Sequence, residues 1–139
     1  MPQVTRKQYT RLMMENIDGM HDIGFSLNVP ASTPTTVHES FTVPAGYVGV
    51  LRNVTGQVVG TAVAGQSNSF LLMTRPGQPQ LYVFRVASDV GLPNEVKVVS
   101  TAYNIIMPEG TVVDACYNNS DTTGSRRVRL YAVIDLIRL

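Results

Sequence analysis

Few residues of this 139-residue chain could do chemistry, and they are scattered. His21 and His38 each stand beside a carboxylate, Asp22 and Glu39, but neither lies in an H-x-x-x-H or H-E-x-x-H arrangement that would set two ring nitrogens toward one ion. Both read as surface or packed histidines, and no metal is expected. Cys116 is the single cysteine, which excludes an internal disulfide framework and leaves too few soft ligands for structural zinc. A nucleophilic thiol would need a neighbouring base in an electropositive setting. Next to Asp114 the expectation is instead a small buried core thiol. Ten acidic residues are spread through the chain, and no spacing selects an acid–base pair from them. A phosphate loop, a dinucleotide fingerprint and a nucleophile elbow are all missing from the sequence. The chemistry-bearing residues therefore point to a non-enzymatic protein without a cofactor.

Arg126, Arg127 and Arg129 form the one local basic cluster, with Asp121 and Asp135 nearby to oppose it. With a net charge of +1, the chain lacks the electrostatic footprint of a nucleic-acid binder, so no direct nucleic-acid partner is expected. Nine of the eleven basic residues are arginine, the type favoured where protein surfaces meet. Charged residues make up only 15%, against roughly 25% in an average soluble domain. Thr, Ser, Asn and Gln take the place of the missing charges. Apolar content is ordinary, which argues against a disordered chain, and no apolar run is long enough to span a membrane as a helix. No signal-peptide pattern opens the chain, so synthesis in a cytoplasm without cleaved export is expected.

The elements that must position these residues are mostly strands. Residues 5–18 are the exception: Tyr9, Leu12, Met13, Ile17 and Met20 recur at spacings of three and four, Thr5 suits an N-cap and Gly19 a left-handed C-cap. Basic residues early in this segment and acidic ones late oppose the helix dipole, so packing must hold such a helix, either on its own domain or on a neighbour. Pro30 and Pro34 among short polar residues read as an extended arm. Residues 1–36 are thus expected to be an N-terminal helix and arm, followed by a β domain at 37–139. Strands are expected at 37–43, 47–55, 57–63, 67–74, 81–87, 95–102, 111–117 and 127–139, with Pro and Gly turns between them. Short strands near ten-residue spacing with no helix between them predict an all-β fold, an antiparallel sandwich or barrel rather than a parallel α/β sheet. Val128, Leu130, Ala132, Ile134 and Leu136 form one core stripe. Tyr131, Val133 and Ile137 leave the other face half apolar, as on a strand that something covers.

The run Phe41-Thr42-Val43-Pro44-Ala45-Gly46-Tyr47 reads strand, V-P-A-G turn, strand. Pro108-Glu109-Gly110-Thr111 gives a second such turn, and the chain closes on a long amphipathic strand. This order over residues 37–139 resembles the small jelly-roll-like structural proteins of tailed bacteriophages, above all capsid decoration (cement) proteins and head or tail accessory proteins. The resemblance implies a virion component on the capsid surface, a homotrimer that binds the major capsid protein or another virion protein and braces the shell. No single functional residue carries over from such a pattern, but with the arm behind it the helix stripe Tyr9, Leu12, Met13 and Ile17 is expected to bind a partner, docking on a neighbouring subunit or capsomer. A receptor- or carbohydrate-binding module of a phage tail or adhesin is the alternative, with Tyr47, Tyr82, Tyr103 and Tyr117 as ligand contacts. A cupin-like enzyme is disfavoured, since its metal site needs more than two histidines.

Overall fold

A computed structural model describes residues 17–59, 65–88 and 96–139. These form eight strands: β1 (Ile17–Val29), β2 (Thr33–Thr42), β3 (Tyr47–Val59), β4 (Ser67–Thr74), β5 (Leu81–Ala87), β6 (Val96–Met107), β7 (Val112–Asn119) and β8 (Arg126–Arg138). They make two four-stranded antiparallel sheets, sheet A in the order β1-β8-β3-β6 and sheet B in the order β2-β7-β4-β5. The pairs β1 with β8, β2 with β7, β3 with β6 and β4 with β5 nest one inside another. The chain is thus one long hairpin folded over itself into two layers, which is the jelly roll. The all-β antiparallel sandwich expected from strand spacing is the observed fold.

Period-two alternation fills the space between the sheets. Ile23 and Phe25 from β1, Leu51 and Val54 from β3, Leu130 and Ile134 from β8 meet Leu71 and Met73 from β4 and Val113 from β7. Across the gap, Gly56 lies under the Phe84 ring, where an added Cβ would stand 2.6 Å from ring carbon Cε1. This glycine is why β3 runs unbroken from Tyr47 to Val59 rather than ending at residue 55 as the sequence suggested. Glycine here makes room for an aromatic from the facing sheet and does not mark a turn.

The N-terminal third departs most from expectation. Residues 17–36 belong to the sandwich: β1 pairs with β8 along its length, and β2 starts at Thr33. Ile17 and Asp18 therefore begin a strand and not the last helical turn, and Gly19 pairs with Leu136 in place of capping a helix. The rest of the expected helix, with Tyr9, Leu12 and Met13, falls outside the described residues. Ile23, Phe25, Leu27 and Val29 alternate as a half-buried strand should, but Gly24 and the two following prolines masked the pattern. Gly24 is required because the β8 backbone at Leu130 passes too close for any side chain. Pro34 is tolerated because β2 edges its sheet and shifts register between Thr33 and Thr36. Glu39 of β2 then accepts a hydrogen bond from the Gly24 amide at 3.1 Å, tying the two edge strands together.

Candidate interaction surface

The chemistry-bearing residues sort into packing roles. His21 stacks on Phe41 with ring centroids 4.3 Å apart, and His38 tilts over Phe25 at 5.4 Å. Among the described residues, no three His, Cys, Asp or Glu side chains gather closely enough to hold a metal ion. The basic cluster disperses. Arg126 is buried and pairs with Asp121 at 2.6 Å, Arg129 reaches outward to Ser26 and Gln57, and Arg127 is exposed.

Asp121 is the hub of a clamp at the loop end of the roll. Its side chain also accepts from the Thr123 amide at 2.8 Å, and its carbonyl takes the Ser32 amide at 3.0 Å. The Asn119 amide group donates to the carbonyls of Val29, Pro30 and Gly124. Together these bonds hold the β1–β2 turn against the β7–β8 loop. The pair is buried and its charges are matched, so it fixes loops and offers nothing to a ligand.

Cys116 is buried as expected but sits elsewhere than expected. It lies on the outer face of sheet B, with Val37 and Phe70 as its cross-strand neighbours, and clusters there with Phe70 and Leu72. Burial, and after it the nearby Asp114 carboxylate, push its thiol up to about 11. At neutral pH it is a protonated apolar side chain and a poor nucleophile.

The face around Cys116 is the most unusual surface described. Along β4 every residue from Ser67 to Met73 is buried, so this strand is covered on both sides. Its inward side chains join the core, while Phe70 and Leu72 point outward at 2% and 8% exposure. At the rim of this cluster stand Val37, Leu81 and Tyr82, each at least half exposed, with the Tyr82 ring 5.5 Å from Phe70. Polar groups frame it at both ends. Asn118, Asn68 and Arg85 form a hydrogen-bonded row on one side, and Asp114 accepts from Ser40 and Gln80 on the other. An apolar centre with a polar rim is the anatomy of an interface. The continuous Phe70-Leu71-Leu72-Met73 run was its signal in the sequence, since a strand buried on both faces loses its alternation.

Of the four tyrosines considered for ligand contact, three are packed. Tyr47 sits beside the core with the Arg138 guanidinium 5.9 Å from its ring centroid, Tyr103 donates to the Val83 carbonyl at 2.9 Å, and Tyr117 meets Phe25 edge-on. Tyr82 alone of the four is exposed, and Tyr131, which sequence reading placed only among half-apolar outward positions, is exposed on sheet A.

No protein-family profile matches this chain, and no curated protein matches it in sequence. Solved structures that match include Drosophila NLP-core, described for pentamer formation and histone binding, at 12% identity and a TM-score of 0.39, covering 84% of this chain and 98% of that one. Eiger TNF from S. frugiperda matches at 15% identity and a TM-score of 0.42, covering 84% and 85%. Tobacco streak virus coat protein matches at 7% identity and a TM-score of 0.34, covering 85% and 86%. Similarity at this level is a likeness of outline and says nothing of what this chain does.

Proposed function

We propose that this chain is a non-enzymatic structural protein of a virion whose copies associate through the outer face of sheet B. The observation that carries the reading is the Phe70, Leu72 and Cys116 cluster, which continues to the surface at Val37, Leu81 and Tyr82. Half-exposed apolar side chains that border one buried cluster, and so form a continuous patch, mark a surface for association more than the same residues scattered singly would. The virion assignment is supported by the order of strands and V-P-A-G and P-E-G-T turns, which resembles phage capsid decoration and accessory proteins. The jelly roll is compatible with it, as an analogy of fold, because that architecture also carries lectins and cupins. In its finer form, the proposal is a cement protein that binds the outside of a bacteriophage capsid as a homotrimer.

Sedimentation of the full chain, alone and with phage capsids, tests both parts. The expected result is a trimer that co-sediments with capsids, and a Tyr82→Asp chain that is folded but monomeric. A wild-type chain that stays monomeric at all concentrations and ignores capsids overturns the proposal. One observation favours the carbohydrate-binding alternative: Tyr82 presents its ring on a face that also carries Arg85 and Gln80, side chains able to bond sugar hydroxyls. Specific binding on a glycan array by that monomer would select it.

A further inference from the structure

The outer face of sheet A holds an exposed aromatic ring in a polar setting. Tyr131 of β8 is half exposed, and its cross-strand neighbours are Thr55 of β3 and Gly24 of β1. A tyrosine exposed by itself calls for no partner. This one has an open side, because Gly24 sets no side chain next to the ring across β1. Its other sides are lined by polar groups on β8, β3 and β6. Strands lie ~4.8 Å apart and same-face residues recur every ~6.8 Å along a strand, so the nearest of these groups stand one strand or one pleat from the ring.

Those polar groups are oriented by bonds among themselves and keep donors to spare. Arg129 donates through Nε to Ser26 Oγ at 3.1 Å and through Nη1 to Gln57 Oε1 at 3.4 Å. Asn53 Oδ1 accepts from the Thr55 hydroxyl at 3.2 Å and from the Ser100 hydroxyl at 3.4 Å. With both amide oxygens engaged, the nitrogens Gln57 Nε2 and Asn53 Nδ2 are the remaining ends. Among the described residues these two nitrogens, Arg129 Nη2 and the Tyr131 hydroxyl have no hydrogen-bond partner. All four side chains reach solvent, where such groups exchange water for the hydroxyls of a ligand.

The chemistry of the face selects among ligands. A protein partner would meet no continuous apolar patch here, since Val98, also exposed, is parted from Tyr131 by Gln57 and Thr55. An anion would need gathered cations, yet Arg52 is matched by Asp135 at 2.6 Å and Asp22 stands exposed on the same face. A sugar meets both halves of the site: its C–H face packs on an aromatic ring while its hydroxyls bond the donors at the sides.

We propose that the outer face of sheet A is a binding site for a neutral glycan, with a sugar ring stacked on Tyr131 beside Gly24 and its hydroxyls bonded by Arg129, Gln57 and Asn53. The site lies on the opposite layer from the association surface proposed on sheet B, so association through that surface leaves it open. It stands whether or not the virion assignment does.

A glycan array of neutral and acidic oligosaccharides, probed with the full chain, tests the site, and calorimetric titration of the bound oligosaccharide then reads affinity without avidity. The expected result is binding of a neutral oligosaccharide that high salt leaves unchanged. Tyr131→Ala, shown to be folded by its urea melt, should weaken that binding about tenfold or more, whereas Tyr131→Phe keeps the ring and most of the affinity. Tyr82→Ala, on the other sheet, should leave the affinity unchanged. A chain that binds nothing on the array, or only acidic glycans that salt releases, overturns the proposal. So does full affinity in folded Tyr131→Ala, and loss in Tyr82→Ala alone would place the sugar on sheet B instead.

Discussion

The outer faces of the two sheets are both built by alternating strands, four different ones in each, and end in different surfaces. On sheet A, Thr55 bonds Ser100, Arg129 bonds Ser26 and Gln57, and Arg52 bonds Asp135 and Asn104. These rows are hydrogen-bonded, the buried apolar residues Val48, Val50 and Ile137 gather at one end, and Tyr131 and Val98 stand singly exposed among the polar groups. On sheet B the polar residues stand at the margins, and the centre is Phe70, Leu72 and Cys116. A shortage of charge across the whole chain therefore has two meanings. On sheet A uncharged polar groups pair laterally and replace charges, while on sheet B apolar groups displace them from a surface meant to be covered.

The comparison breaks first at Phe70. Its truncation, Phe70→Ala, is expected to cost about 3–5 kcal/mol in denaturant unfolding, as for a core aromatic. Tyr131→Ala, on the half-exposed face of sheet A, should cost well under half of that. Equal losses would mean that the two faces do not differ. Asp121→Ala probes the clamp under both sheets, and leaving Arg126 buried without its partner should cost about 3–5 kcal/mol in the same measurement. A loss below about 1 kcal/mol would show that water reaches the site.

Smaller effects sharpen the comparison further. The folded Cys116 thiol keeps its proton to about 11, whereas the unfolded one releases it near 9.0. The folded state thus binds more protons between these values, so the thiol's contribution to stability should fall as pH rises from 9 toward 11 and be constant below 9. Cys116→Val should flatten that part of the profile, and urea melts across the alkaline range read it. Alkylation of the native thiol at pH 8 should be slow and become fast on unfolding. Smallest of all, Arg129→Ala and Gln57→Ala should each change stability by no more than about 0.5 kcal/mol and leave the oligomeric mass unchanged. A mass change there would move the assembly surface to sheet A.

Legibility in the sequence followed how local the signal was. The last strand was plain because Val128, Leu130, Ala132 and Ile134 alternate without interruption and all four are fully buried. The first strand was hidden by Gly24, which is needed only because the distant Leu130 carbonyl crowds it. Gly56 misled for a similar reason, since the Phe84 ring that requires it comes from the other sheet. The Asp121 and Arg126 pair was foreshadowed by proximity in the chain. That Asn119 would bind both to the first turn was not, because its partners Val29 and Pro30 lie some ninety residues earlier.

By itself the sequence determined an all-β, charge-poor chain whose turns fall where Pro and Gly punctuate it, because propensity, alternation and turn chemistry act over a few residues. It also determined that Cys116 would be buried and chemically quiet. The tertiary structure decided which strands edge the sheets, that residues 17–36 join them, and that Cys116 lies beneath an outer face instead of between the layers. Alternation assigns each side chain to one of two faces. Only the pairing of strands far apart in the chain decides which of those faces meets the core, the solvent or another surface.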